Sequence, residues 1–286
     1  MNWAIKTISN YGTSHPVVAR LGLQTHELIR FSSLPQADQD AVVQLYLGTL
    51  QPRLLKCHDI FERLQKLTAK ARAKARKQQS QARGSVRFVP VVIGLDGEAE
   101  SFLYEVKNYL RDLLHLFRIF FGFKDVEASK LYDAKGKGDS AIVKWASEQF
   151  GDDDELSQLL STEQKWVGQC IRMRNAAEHP GGKSGKFTIY NVRAIPEGFI
   201  PPTWNLEGEP ESDIFADMRT MMSNLLTIAE ELLIACIKKK LAFPNIAFYQ
   251  IPEKDQDPKA PQRVRVGLLP EVEARIAAMG KAKSDE

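Results

Sequence analysis

Residues 174–179 have the sequence Arg-Asn-Ala-Ala-Glu-His, and the predictions of fold and function start from them. They set Arg174 and His179 at the C-terminal end of a predicted helix that Pro180 ends. An arginine is a permanent cation whose planar fork of donors fits phosphate. Histidine is the side chain whose proton moves near neutral pH. The combination indicates phosphate chemistry.

Helix geometry arranges these residues around one groove. At 100° per residue, Arg174 and His179 lie about 140° apart, and Asn175 falls between them. Such an arrangement can surround a phosphate if a neighbouring helix closes the groove, and Glu178 adds a negative charge beside the histidine. We therefore predict Arg174, Asn175 and His179 as catalytic residues, with Glu178 in support. The alternative is that the arginine and histidine are structural, either capping the helix or solvated.

Helical patterns extend from this motif in both directions. A capping box at Ser161–Gln164 predicts where the motif's own helix begins. Amphipathic periodicity predicts further long helices over residues 96–121 and 213–241, and one or two helices over residues 35–83. The sequence therefore predicts a mainly α fold, with accessory helices before the main domain.

Residues 186–206 interrupt the helical pattern. Phe187–Tyr190 has the composition of a strand, and Phe199–Trp204 is its expected return partner despite Pro201 and Pro202. We expect a β-hairpin or an extended insertion between two helices.

The string Arg-Asn-x-x-x-His at the end of a helix, within an all-helical pattern, resembles the HEPN superfamily (higher eukaryotes and prokaryotes nucleotide-binding). The resemblance covers about residues 96–241. It implies a bundle of four or five helices that dimerises, with the hairpin at 186–206 as an insertion. Residues 1–95 are then an N-terminal helical extension with a basic segment and a connector, and residues 242–286 are a C-terminal extension.

Many members of this superfamily are metal-independent endoribonucleases, so the resemblance implies such an activity here, with no cofactor. Attack of the ribose 2′-hydroxyl on its own phosphate needs a base, an acid and a cation. Arg174 would hold the phosphate, Asn175 would orient, and His179 would transfer a proton. Since one histidine supplies one proton-transfer group, a homodimer that joins two motifs would complete the site. The implied partners are RNA and a second copy of the chain.

Two further readings follow from the same resemblance. A non-catalytic helical dimer could use the fold as a scaffold that binds RNA, a nucleotide or a protein. An inhibitory protein partner is a further expectation. Some toxin members continue past the histidine to a tyrosine that a partner nucleotidyltransferase modifies, whereas Pro180 and Gly181 follow here. That form of regulation is not supported.

A polar sector lies beside the apolar face of the helix predicted from residue 96. Glu105, Asn108 and Asp112 fall within it, together with Ser101. If this sector faces the motif, these side chains would fix Arg174 or hold His179 in one tautomer. The alternatives are a solvated face and an ion pair between helices.

Residues 63–83 contain eight basic residues and no acidic one. One stripe, with a repeat of three or four residues, is formed by Arg63, Lys66, Lys70, Lys74 and Lys77. It would attract a phosphate backbone, so we predict its four lysines as RNA-binding. The alternative is a solvated helix face or a partly disordered arm, because the stripe lacks interleaved aromatic residues.

Composition narrows the remaining classes. The formal charge is only +3, so no global field compels nucleic-acid binding. Three widely spaced cysteines in apolar contexts indicate reduced core residues, and no metal site is apparent. A hydrolase metal site at Asp152–Glu155 is disfavoured, because consecutive acids in a turn point in different directions. No apolar run reaches the length of a membrane span, so we expect a cytoplasmic protein without a membrane partner.

Overall fold

A computed structural model describes residues 10–81, 88–133, 138–196 and 198–282, so the last two residues of the basic segment lie outside the described ranges. The chain is mainly helical, which confirms the predicted class. The helices are α1 (Pro16–Val18), α2 (Thr25–Leu28), α3 (Gln36–Val43), α4 (Gln51–Gln81), α5 (Leu95–Leu113), α6 (His115–Phe121), α7 (Ala141–Phe150), α8 (Glu155–Glu178), α9 (Ile214–Lys239) and α10 (Pro270–Ala282).

The strands are short and antiparallel. They are β1 (Phe187–Tyr190), β2 (Arg193–Ile195), β3 (Gly198–Ile200), β4 (Thr203–Leu206), β5 (Ser212–Asp213), β6 (Ile246–Gln250) and β7 (Val264–Leu268). Strand β4 lies between β1 and β5, while β2 pairs with β3 and β6 with β7.

The strand insertion is present, but its pairing differs from the prediction. Tyr190 is opposite Thr203 and Phe187 is opposite Leu206, so β4 is the partner of β1. Phe199 pairs instead with Ala194 in the small hairpin of β2 and β3. The reason is that Pro201 and Pro202 have no N–H to donate to a ladder, so they separate β3 from β4.

Two helix boundaries also differ from the prediction. Helix α8 begins at Glu155 rather than near Ser161, because the side chain of Asp154 accepts a hydrogen bond from the Leu156 N–H and caps the helix. The helix expected over residues 96–121 is broken at Leu114, whose N–H donates to Arg111 through a tighter turn.

The chain divides into two compact units. One contains Pro52–His115 and Lys124–Ile228, and the other contains Met1–Gln51, Leu116–Phe123 and Ala229–Glu286. The predicted boundaries at residues 95 and 241 do not follow this division. Each unit is formed by segments that are distant in sequence. Changes of composition along the chain do not show which distant segments pack together.

Helix α5 is central to the unit that carries the motif. Phe102, Val106 and Tyr109 are buried on its apolar face. The Tyr109 hydroxyl donates to the carbonyl of Leu225 in α9 at 3.0 Å. Helix α5 also packs along α8, and this packing positions the last turn of α8.

The other unit is held together by a buried carboxylate. Glu230 in α9 is 2% exposed. Its oxygens accept from Arg20 at 2.8 Å, from Gln24 at 2.6 Å and from Arg263 at 3.2 Å. The amide oxygen of Gln24 in turn accepts from the backbone N–H groups of Arg263 and Val264, so the network joins the N-terminal segment to β7.

One described helix, α9, is long and apolar enough to cross a membrane by length and composition. This finding corrects the expectation that no segment reaches that length. Within its most apolar window, 67% is buried inside the protein, which is the pattern of a core helix in a soluble protein.

The Glu230 network predicts a stability difference between two adjacent glutamates. Glu230→Ala leaves the buried amide of Gln24 and the partly buried Arg20 without their acceptor, so the free energy of unfolding should fall by about 1–3 kcal/mol. Glu231→Ala is the control, because Glu231 is 35% exposed and pairs only at the surface with Arg263, so its loss should cost under about 1 kcal/mol. Urea denaturation measures both, and equal losses would contradict the role of the network.

Candidate functional site

The motif occupies the last turn of α8. The backbone of His179 leaves the helical conformation while its N–H still donates to the carbonyl of Asn175 at 2.9 Å. Pro180 cannot donate to a continuing helix, and Gly181 adopts a φ of +76°, which suits glycine. Local sequence alone therefore fixes where the helix ends, as predicted.

Arg174 is held against α5. Its side chain is only 13% exposed, and its guanidinium lies 5.5 Å from the centroid of the Tyr104 ring. Burial lowers the pKa of Arg174, but a guanidinium stays protonated in proteins, so the cation persists. Its ionic partner is the carboxylate of Glu178, one helical turn later.

Glu178 joins the two charged ends of the motif. The same Oε2 atom that contacts Arg174 lies 3.3 Å from Nε2 of His179. The carboxylate therefore occupies the position that an incoming anion on Arg174 would take.

Asn175 is fixed by a lysine. The Nζ atom of Lys107 in α5 donates to Oδ1 of Asn175 at 2.7 Å. Burial lowers the pKa of Lys107, and repulsion from the cations of Arg174 and Arg111 lowers it further. Positive charge is thus concentrated beside Asn175, as a phosphate site requires.

His179 differs from the other motif residues because its side chain is 70% exposed. Its described ionic neighbour is Glu178, and its ring extends beyond the end of α8. A single chain thus anchors Arg174 and Asn175 and leaves the imidazole accessible.

A groove of about 760 Å³ opens beside Arg174, between α4, α5 and α8. His179 is not among the described residues that line it, so the motif does not flank one groove as predicted. The lining residues are Lys56, Ile60, Arg63, Gly94, Gly97, Glu98, Glu100, Ser101, Tyr104, Glu105, Arg174, Ala177 and Glu178.

Two carboxylates of the polar sector of α5, Glu105 and Asp112, pair with cations of α4. Glu105 accepts from Lys56 at 2.6 Å and from Arg53 at 3.0 Å, and Asp112 accepts from Arg53 at 2.6 Å. Asn108 is buried on the same helix. Glu105 and Asp112 thus form ion pairs between helices, which was one of the alternatives to a role beside the motif. Among the described ion pairs of these two carboxylates, none is with Arg174 or His179.

The predicted lysine stripe lies on the second half of α4. Lys66, Lys70, Lys74 and Lys77 are all exposed, and Lys66 pairs with Glu62 at 3.2 Å. Arg63, the first residue of the predicted stripe, lines the groove and pairs with Glu98. The stripe therefore continues along the same helix from the rim of the groove.

Sequence reasoning missed Lys107 and Tyr104. Both lie on the outer face of α5, at positions spaced for one helical line with Arg111, where a solvated face was the natural reading. That spacing was the available signal. What it could not give was the packing of this line beside the last turn of α8.

Comparison of the chain with family models, with curated proteins and with solved structures found no match.

The acidic run at Asp152–Glu155 contributes Asp154 as the cap of α8. The chemistry available at the end of α8 is that of a partly buried arginine, an amide bonded to a lysine, and an exposed imidazole.

The position of Glu178 predicts that removing its charge opens Arg174 to anions. Glu178→Gln should tighten the binding of inorganic phosphate up to about fivefold, since an ion pair of this exposure contributes up to about 1 kcal/mol. Glu148→Gln on α7 is the control, because it makes the same change of net charge at an exposed position outside the groove. A phosphate titration followed by NMR measures both, and an equal gain in the two variants would show a general charge effect instead.

Proposed function

We propose that the chain is a metal-independent endoribonuclease of HEPN-like architecture, which cleaves RNA at a composite site in a homodimer. The observation that carries the proposal is the arrangement at the end of α8. Arg174 and Asn175 are anchored beside Lys107, while His179 on the same turn is exposed. Such an arrangement supplies cations for a phosphate and an imidazole that is free to meet a substrate.

In the proposed reaction, the 2′-oxygen of a ribose attacks the adjacent phosphorus and the bond from phosphorus to the 5′-oxygen breaks. A neutral imidazole takes the 2′-hydroxyl proton, and a protonated imidazole gives a proton to the leaving 5′-oxygen. The products are a 2′,3′-cyclic phosphate and a 5′-hydroxyl. Arg174 stabilises the charge that develops on the phosphorane oxygens.

The requirement for two imidazoles motivates the dimer. Each chain contributes one His179, and its exposure allows a second copy to approach. A two-fold axis near the ends of two α8 helices would bring both imidazoles to one phosphate. The lysine stripe on α4 would hold the RNA backbone outside the site.

A non-catalytic scaffold is the second candidate, and one observation favours it. Glu178 contacts both Arg174 and His179, so its carboxylate competes with substrate phosphate for the same groups. A dimer with this ion pair closed would bind RNA, a nucleotide or a protein without cleaving it. An inhibitory protein could act by stabilising the closed state.

A cytoplasmic location is part of the proposal. Its support is that Cys57, Cys170 and Cys236 are buried free thiols, and burial raises the pKa of Cys170 to about 12. Such thiols are typical of a reducing compartment.

Separate removal of the two charged motif residues tests catalysis. Arg174→Ala and His179→Ala should each lower the rate of RNA cleavage in the presence of a chelator, by about 10²–10⁴-fold for the histidine, the usual contribution of general acid–base catalysis. Arg172→Ala is the matched control, because Arg172 lies on the same helix and pairs with Glu209 away from the groove.

Cleavage is measured on labelled single-stranded RNA, with analysis for a 2′,3′-cyclic phosphate end. Circular dichroism checks that each variant keeps its fold. Equal cleavage by the wild type and both variants would assign any activity to a contaminant. The absence of cleavage under all conditions would leave the scaffold as the function.

The lowered pKa of Lys107 predicts a pH dependence of RNA binding. A lysine is cationic below its pKa and neutral above it, so affinity should start to fall at a lower pH than for an ordinary lysine. Lys107→Arg keeps the cation and should remove this alkaline decrease, whereas Lys144→Arg on α7 should not. The measurement is the affinity for a non-cleavable 2′-O-methyl RNA across neutral and alkaline pH, and an unchanged profile for Lys107→Arg would exclude Lys107 from the site.

A further inference from the structure

Tyr104 is an aromatic side chain at the boundary between the cationic cluster and the groove. It is 50% exposed, although it belongs to α5, whose other aromatic residues Phe102 and Tyr109 are buried. The Arg174 guanidinium covers part of its ring, and the remainder of the side chain is accessible. A large aromatic surface is therefore left open next to the cation proposed to bind phosphate.

The groove itself does not have the charge pattern of a phosphate site. Arg63 donates two hydrogen bonds to Glu98, at 2.7 and 2.8 Å, and Lys56 is paired with Glu105. Arg174 is paired with Glu178, so all three cations of the groove have carboxylate partners that also line it. A volume of about 760 Å³ with paired charges and an aromatic wall suits a flat group that carries no net charge.

We propose that the groove is a base pocket, in which Tyr104 stacks on the base of the nucleotide whose phosphate is bound by Arg174. The inference rests on the proposed function, because it takes single-stranded RNA as the ligand. Stacking on an aromatic side chain is the general way in which proteins hold unpaired bases.

Glu100 and Ser101 give the pocket a preference among bases. Both are exposed residues of α5 that line the groove, and a carboxylate accepts hydrogen bonds without donating any. The natural partner of the Glu100 carboxylate is the exocyclic amino group of a base, as in the pairing of glutamate with cytosine N4, whereas the Ser101 hydroxyl can donate or accept. The pocket therefore favours cytosine over uracil, since these two pyrimidines differ at that group.

The test uses binding without cleavage. Fluorescently labelled 2′-O-methyl oligocytidine and oligouridine of equal length cannot undergo 2′-hydroxyl attack, and fluorescence anisotropy gives their affinities. Tyr104→Ala should weaken binding of oligocytidine about five- to a hundredfold, the range found when one stacked base is lost. Tyr104→Phe keeps the ring and should restore affinity to within about twofold of the wild type.

The matched control is Tyr190, another tyrosine whose ring is contacted by an arginine guanidinium. The Tyr190 ring lies 4.7 Å from the guanidinium carbon of Arg193, outside the groove, so Tyr190→Ala should leave both affinities unchanged. Glu100→Ala should reduce the preference for cytidine over uridine. Arg174→Ala should weaken both oligonucleotides equally, because a phosphate contact carries no sequence information.

Unchanged oligocytidine binding by Tyr104→Ala would overturn the base pocket, and so would an equal loss with Tyr104→Phe. Failure of the proposed function gives a different result. If the wild type never cleaves RNA but its binding depends on Tyr104 and Glu100, the pocket stands on a non-catalytic protein. If cleavage depends on His179 but binding ignores Tyr104, only the pocket fails.

Discussion

Pairing of two buried carboxylates on α5 is the constraint on which the site depends. Glu105 and Asp112 lie almost fully inside the protein, where an unpaired charge would cost several kcal/mol. Arg53 and Lys56 donate hydrogen bonds to these carboxylates. Burial alone would lower the pKa of Arg53, but its hydrogen bonds to the carboxylates outweigh burial and raise the pKa. Helix α4 is thereby fixed along α5, and the two helices form walls of the groove.

This pairing also explains which parts of the site could be predicted from sequence. The end of α8 depends on Pro180, a local feature, and was predicted correctly. The partners of Glu105 and Asp112 depend on which face of α5 meets α4, and a single helix sequence does not encode that choice. An ion pair between helices was one of three readings of these side chains, and sequence alone gave no physical ground for preferring it.

The fold follows the same division between local and distant information. Periodicity predicted the mainly α class, and residues 187–190 have strand composition, so the insertion was expected. Its return strand was predicted in part, since Thr203 and Trp204 pair with β1, but two prolines exclude Phe199 from that strand. The two units could not be predicted from the sequence, because segments near both ends of the chain join in one of them, where Gln24 contacts Glu230.

Positive charge in the candidate site is of two kinds: exposed lysines on α4, and cations in the groove that are paired with carboxylates. In the proposed function, the exposed lysines of α4 would exchange their counterions for RNA phosphates, so their contribution to binding would weaken steeply with salt. Arg63 and Lys56 in the groove are already paired with carboxylates and release few counterions. Under the two proposals, affinity that survives high salt would come from the groove and from Tyr104, where contact would be by stacking rather than by charge.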